Sequence, residues 1–283
     1  MIKKGTVIAD TYLIKEQLGE GSCGTVFLAG KVNGEELYTL KLSEDKELLK
    51  REAFLCGQMQ SEYFPGFVDY GEDGAYGYLV LEYVEGISLQ HLLDKGRTFS
   101  ERDVLIVMES ITAALSRLHH HRIPIVHLDI KPANVIVTTK GEVRIIDMGA
   151  GSPVGVRQGR KGGTYGYGAP EQFWQGILPG PAADVYACGK VMAYLLTGKN
   201  PCQPPYDVEK KLLKSKGVKK SWQQVILKCL EQEPQKRYPD GKALHREIMN
   251  LQKAQLERGK VRNKQGVDII YLKSIWKSDY ERV

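Results

Sequence analysis

The chain has 283 residues, 42% of them hydrophobic and 26% charged, with a formal net charge of +6. That size and apolar content suit one large domain or two smaller lobes and exclude wholesale disorder. So mild a basic balance makes no case for nucleic acid, and none is expected as a partner. Five scattered cysteines, Cys23, Cys56, Cys188, Cys202 and Cys229, form no CxxC pair. They fit reduced thiols better than a disulfide framework or a zinc site, so a cytoplasmic location is expected. No membrane segment is expected either: no apolar run reaches the ~18–20 residues that span a bilayer, and the N-terminus lacks the apolar core of a signal peptide.

Residues 10–42 alternate and are β-branched in short pieces, with glycine turns at 19–24 and 33–36, which predicts three antiparallel strands. GEGSCGTV, residues 19–26, spaces Gly19, Gly21 and Gly24 as GxGxxG ahead of Val26, between two of those strands. Glycine lets backbone amides come close to phosphates, although a plain hairpin turn has the same look. A strand follows instead of a helix, which excludes a dinucleotide fingerprint. Lys41 ends the third strand, and a helix follows with Leu48, Glu52, Leu55 and Met59 at helical spacing. A lysine aimed at two phosphates needs a carboxylate to hold it extended, a part Glu52 can fill; two solvated charges are the plain alternative. Strand-like pieces at 67–70 and 77–83 come next.

Beyond them the pattern turns helical. Ser100 followed by Asp103 is an N-cap signature, and Val104, Val107, Met108, Ile111, Leu115 and Leu118 then form one apolar stripe. Further helices are predicted near 182–197, 221–231 and 240–256, and the glycine-rich stretch 149–163 reads as a flexible loop. The expected fold is α+β, a small β-rich lobe followed by a larger helical one.

Between these helices lies HLDIKPANVIV, residues 127–137. Asp129 is suited to accept the proton of a substrate hydroxyl, Lys131 to steady a transferred phosphoryl group and Asn134 to hold a divalent ion. Asp147, thirteen positions beyond Asn134, ends an apolar strand and is suited to bridge phosphates through Mg2+. Each element is common alone; the ordered set is not.

With GTYGYGAPEQ, DVYACG and EPQKRYP added, residues 11–251 resemble the Hanks-type serine/threonine protein kinases, in particular bacterial members. The resemblance implies a two-lobed fold, with residues 1–83 as N-lobe and 84–254 as C-lobe; residues 255–283 form a tail beyond it, expected to be docked. The resemblance also implies ATP bound between the lobes with Mg2+, or Mn2+ in its place. Leu18, Gly19, Gly21, Gly24, Val26, Lys41, Glu52, Leu81, Glu82, Val84 and Ile136 are then the nucleotide-binding set, with Leu81 as gatekeeper and backbone groups of Glu82 and Val84 toward adenine. Asp129, Lys131, Asn134 and Thr164 become the catalytic set, and Asn134 with Asp147 the metal ligands. Asp184 would brace the catalytic loop, and Glu171 would pair with Arg237. Small-molecule kinases share the Asp, Asn and Asp logic, but GTYGYGAPE and Lys131 favour serine or threonine of protein substrates.

Several positions depart from the family pattern. Leu128 replaces the arginine that receives an activation-loop phosphate in many relatives, and from 150 to 163 the only hydroxyl is Ser152. Activity independent of loop phosphorylation is therefore expected. Met148, Cys56 and Thr39 replace the family's phenylalanine, leucine and alanine, which bears on basal rate and nucleotide release instead of on the reaction. Ala133 and Ser88 give no support to an arginine-directed substrate preference. Cys23 reads as a tolerated loop residue. Six lysines in 210–220 read as a solvated basic face, with a weak case for acidic partners. The tail 258–283, with Ile269, Ile270, Leu272, Ile275 and Trp276, is expected to dock on the kinase or on a partner. A nucleotide-binding pseudokinase scaffold acting through that tail is the alternative reading.

Overall fold

A computed structural model describes residues 2–21, 24–156, 163–174, 177–204 and 210–259. Cys23 and the tail segment 260–283 therefore lie outside the described residues. The chain divides into two compact units, Met1–Glu85 and Gly86–Val283.

In the first unit the alternating segments form an antiparallel sheet. Its strands are β1 (Val7–Ile8), β2 (Tyr12–Gly21), β3 (Gly24–Lys31), β4 (Leu37–Ser43), β5 (Phe67–Asp73) and β6 (Tyr76–Glu82). Their order is β1-β2-β3-β4-β6-β5. One face buries Ile14, Phe27, Ala29, Leu40 and Val80, each at most 3% exposed. The turn into β2 was not legible beforehand, because Ala9 and Asp10 both adopt left-handed backbone without a glycine. The Ala9 N–H donates to Asp73 Oδ2 at 2.8 Å and helps hold that turn. Helix α1 (Lys46–Gln58) starts on Asp45, whose side chain accepts the Leu48 N–H, and buries Leu49, Glu52, Ala53, Leu55 and Cys56.

In the second unit α3 (Glu101–His119) carries the capping box expected at Ser100 and Asp103. Its predicted stripe is buried throughout, and α8 (Gly241–Gly259) lies against it. Gly241 is required at that contact, since a Cβ there would sit 2.6 Å from Leu115 Cβ. Helix α5 (Pro181–Thr197) is buried on nearly all sides, so it reads as hydrophobic all round and not as amphipathic. Short strands complete the framework: β7 (Gly86–Ser88) ahead of α3, and β8 (Ile125–Val126), β9 (Val135–Thr138), β10 (Val143–Ile145) and β11 (Ser152–Pro153) between α3 and α5. Three of them form a sheet in the order β10-β9-β7, and β11 pairs with β8. That last pairing corrects the loop reading of 149–163. Ser152 aligns with Val126 and Pro153 with Ile125, while 157–162 lie outside the described residues. Helices α2 (Leu89–Asp94), α4 (Pro170–Phe173), α6 (Lys210–Ser215) and α7 (Lys220–Cys229) complete the unit.

Candidate active site

Each unit is considered separately. In the first, β4 places Lys41 so that its Nζ lies 2.9 and 2.7 Å from the two carboxylate oxygens of Glu52 on α1. Both side chains are at most 10% exposed. A buried ammonium held by both oxygens of one carboxylate is an extended, pre-aimed cation, which is what phosphate binding demands. The three glycines of the turn have different reasons to be glycine. A Cβ on Gly24, at φ +128°, would fall 2.1 Å from the Leu42 carbonyl oxygen, so the fold itself requires that glycine. A Cβ on Gly19 or Gly21 would meet nothing within 4 Å among the described residues, so the packing described does not explain them. The open backbone they leave suits a phosphate chain. Around them Val26 is partly buried, Leu18 is exposed and Leu81 is 8% exposed. The Glu82 N–H is taken by the Gly66 carbonyl at 2.8 Å, and Val84 is partly buried.

In the second unit the loop before β9 gathers four polar side chains. Thr164 Oγ1 donates to Asp129 Oδ1 at 2.7 Å. Lys131 Nζ lies 2.7 Å from Thr164 Oγ1 and 2.8 Å from Asp129 Oδ2. Asn134 Nδ2 donates to the Asp129 carbonyl at 2.9 Å and to Asp129 Oδ2 at 3.1 Å. A hydroxyl thus already sits on the carboxylate with an ammonium against its oxygen, the arrangement an acceptor alcohol needs for proton removal.

The β9–β10 hairpin brings the two candidate metal ligands to one end. Val135 aligns with Ile145, and the Ile146 N–H donates to the Asn134 carbonyl at 3.0 Å. One residue on, Asp147 receives the Gly149 N–H on Oδ1 at 3.0 Å. The donor set fits Mg2+: a carboxylate and an amide oxygen, with the Asn134 nitrogen turned to Asp129 and so the amide's orientation fixed. Among the described residues no group of three or more His, Cys, Asp or Glu could hold a metal by itself. Ile136, on β9, is 9% exposed.

The loop's backbone is strained and externally held. Leu128 has φ +64°, a left-handed conformation that disfavours a branched side chain by about 1–2 kcal/mol. Buried Asp184 on α5 accepts the N–H of His127 and that of Leu128, both at 2.7 Å. Asp184 Oδ2 also lies 2.9 Å from His119 Nε2. His119 Nδ1 accepts the Gly241 N–H at 2.9 Å, so its proton is on Nε2 and is donated to Asp184. Burial pushes the Asp184 carboxyl up, but the His119 hydrogen bond and the His127 amide outweigh it and leave the carboxyl below its usual range. Burial pulls the His127 imidazole below its ordinary 6.5 despite the carboxylates of Asp184, Asp129 and Asp147. Its Nδ1 accepts the Asp129 N–H at 3.3 Å, and its Nε2 is buried with no partner. The Leu128 side chain packs with Val126, Ala169, Ala183 and Tyr186, an apolar setting. Beneath the loop, Arg237 holds Glu171 by two bonds of 2.7 and 2.8 Å.

Sequence reasoning gave no role to His119 or to Gln172, the last residue of GTYGYGAPEQ. Only their partners, distant in sequence, give them meaning.

Comparisons with known proteins agree with this geometry. The protein kinase domain family matches residues 12–251. A curated serine/threonine-protein kinase of Corynebacterium efficiens, drp72, is 32% identical over 267 residues, covering 86% of this chain and 51% of that protein. PrkC of Bacillus subtilis is 27% identical over 267 residues, covering 86% and 41%. The chain thus spans about half or less of the length of these relatives. The kinase domain of Mycobacterium tuberculosis PknI shares the fold, with a TM-score of 0.70 at 23% identity over 88% of this chain and 99% of that one. Among the described residues no helix is long and apolar enough to cross a membrane. The chain belongs to the protein kinase domain family, in its Hanks-type serine/threonine branch, alongside bacterial relatives.

Proposed function

We propose that the chain transfers the γ-phosphoryl group of ATP to serine or threonine of protein substrates in the cytoplasm, without needing phosphorylation of its own activation loop. The observation that carries this is the hydroxyl of Thr164 donated to Asp129 Oδ1 with Lys131 Nζ 2.7 Å from its oxygen. In this reading Asp129 takes the proton of the acceptor hydroxyl, and Lys131 stabilises charge on the transferred group. Thr164 holds the two in register. Lys41, fixed by Glu52, and the open backbone at Gly19 and Gly21 hold the phosphates. Leu18, Val26, Leu81 and Val84 of the first unit and Ile136 of the second are the side chains that would contact the base. Asn134 and Asp147 hold Mg2+, which when bound neutralises the phosphate charge. Residues 1–83 and 84–254 act as the two lobes, and 255–283 as a docking segment.

Independence from loop phosphorylation rests on two facts. The Leu128 side chain is aliphatic, packs among Val126, Ala169, Ala183 and Tyr186, and itself supplies no cation to a phosphate. Ser152 is 3% exposed, with its hydroxyl donating to the Pro153 and Val156 carbonyls at 3.1 and 3.3 Å, so it is no ready acceptor. Transfer from γ-labelled ATP with Mg2+ to a generic protein mixture tests the reading. Asp129→Asn should lower the rate by about 10²–10⁴-fold. Ser152→Ala should stay within about twofold while losing about 1 kcal/mol of stability. No transfer despite proven ATP binding would favour a pseudokinase scaffold, and a rate that requires a phosphate on Ser152 would remove the regulatory half.

A further inference from the structure

Gln172 has no part in the reading above, yet it touches the catalytic loop. It is 6% exposed and follows Glu171 of the ion pair. Its Oε1 accepts the Ala169 N–H at 2.8 Å, and its Nε2 donates to the Leu128 carbonyl at 2.9 Å. These partners fix the amide's orientation, because an N–H must meet an oxygen and a carbonyl must meet an N–H. Leu128 is the left-handed residue immediately before Asp129. Its N–H is held by Asp184 from α5 and its carbonyl by Gln172 from α4, so the strained residue is pinned on both sides. The segment that delivers Thr164 passes against this second pin. A Cβ on Gly163, at φ +113°, would lie 2.5 Å from Gln172 Nε2 and 3.1 Å from the Leu128 carbonyl oxygen.

We infer that Gln172 is a positioning residue for phosphoryl transfer, holding the Leu128 carbonyl so that the Asp129 carboxylate stays aligned with Lys131 and Thr164. The inference deepens the kinase reading and rests on it. A packing role would need only the shape of the side chain, whereas a hold on the carbonyl needs a donor at Nε2.

Gln172→Glu separates the two. It keeps the shape and the acceptor for Ala169, lacks the donor when ionised and regains it when protonated. The titratable groups flanking the contact are Glu171, already paired with Arg237, and on the loop side His127, kept neutral by burial, Asp184, and Asp129 with Lys131 against it. The neighbouring acids and the facing carbonyl disfavour an ionised carboxyl, so it should protonate at mildly acidic pH. The full chain, Gln172→Glu and Gln172→Met would be compared for kcat and KM for ATP from pH 6 to 8.5, with amide hydrogen exchange over residues 125–136. At pH 8.5 Gln172→Glu should lose about tenfold in kcat with KM nearly unchanged. Relative to the unmodified chain, that loss should shrink toward pH 6, while the loss in Gln172→Met stays flat. Both variants should exchange faster at the loop than the unmodified chain at pH 8.5. Unaltered kcat in Gln172→Glu at pH 8.5, or a pH-flat loss equal to that of Gln172→Met, overturns the inference. Should the carboxylate variant not fold, unaltered kcat in Gln172→Met overturns it alone. A faster-exchanging loop in variants of an unmodified chain that transfers no phosphate would sustain the positioning and overturn the kinase reading instead.

Discussion

Among the described residues each unit buries a glutamate paired with a lysine or an arginine, and the two pairs are built for different ends. Arg237 uses all five of its N–H donors. Nε meets the Glu231 carbonyl, Nη1 meets Glu171 and the Ala182 carbonyl, and Nη2 meets Glu171 and the Gln232 carbonyl. Its ring neighbour Tyr186 lies 4.9 Å from the guanidinium. Nothing is left over for a ligand, so the pair is a structural rivet joining α4 to the segment before α8. Lys41 is a point charge on a flexible stem, held by both oxygens of Glu52, and its side chain is 10% exposed. An ammonium held by one carboxylate on a neighbouring helix is aimed by it. A buried pair is thus weak ground for stability or function by itself; the planar fork that ties down backbone carbonyls and the point charge aimed by a single carboxylate are different devices.

The largest expected effect tests the rivet. Arg237→Lys replaces a five-donor fork with three donors and strands backbone carbonyls and part of Glu171, so stability should fall by about 3–5 kcal/mol. The midpoint of urea unfolding reads this directly. Glu52→Gln should do the reverse: kcat/KM falls by about 100-fold as Lys41 loses its aim, with a much smaller change in midpoint. Equal midpoint losses in the two variants would end the contrast.

The next effect is smaller and depends on pH. His127 is buried and neutral, with its folded pKa below its ordinary 6.5 because of burial. A group depressed on folding contributes stability that is complete above its unfolded pKa and is lost as pH falls toward the folded value. Below pH 6.5 the unfolded chain takes up a proton that the folded chain refuses, giving a loss of at most about 1.4 kcal/mol per pH unit from this group. His127→Phe should flatten the slope of unfolding free energy between pH 6.5 and 5. An unchanged slope would place the acid sensitivity elsewhere.

Period and punctuation made much of this molecule legible. The strand alternation before residue 42, the Ser100 cap with its apolar stripe and the spacing from Asp129 to Asp147 all depend on near neighbours in the chain, and each marks an observed element. What was hidden depends on distant partners. The turn at Ala9 and Asp10 uses left-handed backbone without glycine, supported by Asp73. Strand β11 is two residues long and exists only through β8. Helix α5 has no polar face because it is buried all round, so its apolar content signalled helix without showing which side meets the catalytic loop. Gln172 needed the Leu128 carbonyl, 44 residues away, to be seen at all. Local chemistry names the reacting groups, and tertiary contacts decide which neighbours hold them.

The smallest effect is expected at the position that departs most visibly from the family. Leu128 differs from the family in its side chain, yet the loop is held through its backbone: Asp184 takes its N–H and Gln172 its carbonyl. The side chain points away into Val126, Ala169, Ala183 and Tyr186, with Ala150 and Leu230 beside them. Leu128→Arg would leave both backbone bonds in place. Its stem would cover part of the lost apolar contact while the guanidinium reaches for water, so about 1–2 kcal/mol of stability should be lost. Turnover should stay within about threefold, because no side-chain atom of Leu128 takes part in the Asp129, Lys131 and Thr164 cluster. Nor should the new arginine create a need for phosphate, since the loop's single hydroxyl, on Ser152, is buried and bonded. Steady-state rates before and after phosphatase treatment check both expectations. A Leu128→Arg chain that becomes phosphatase-sensitive would mean the side chain alone sets the mode of regulation, and the backbone pins would then be scaffolding only.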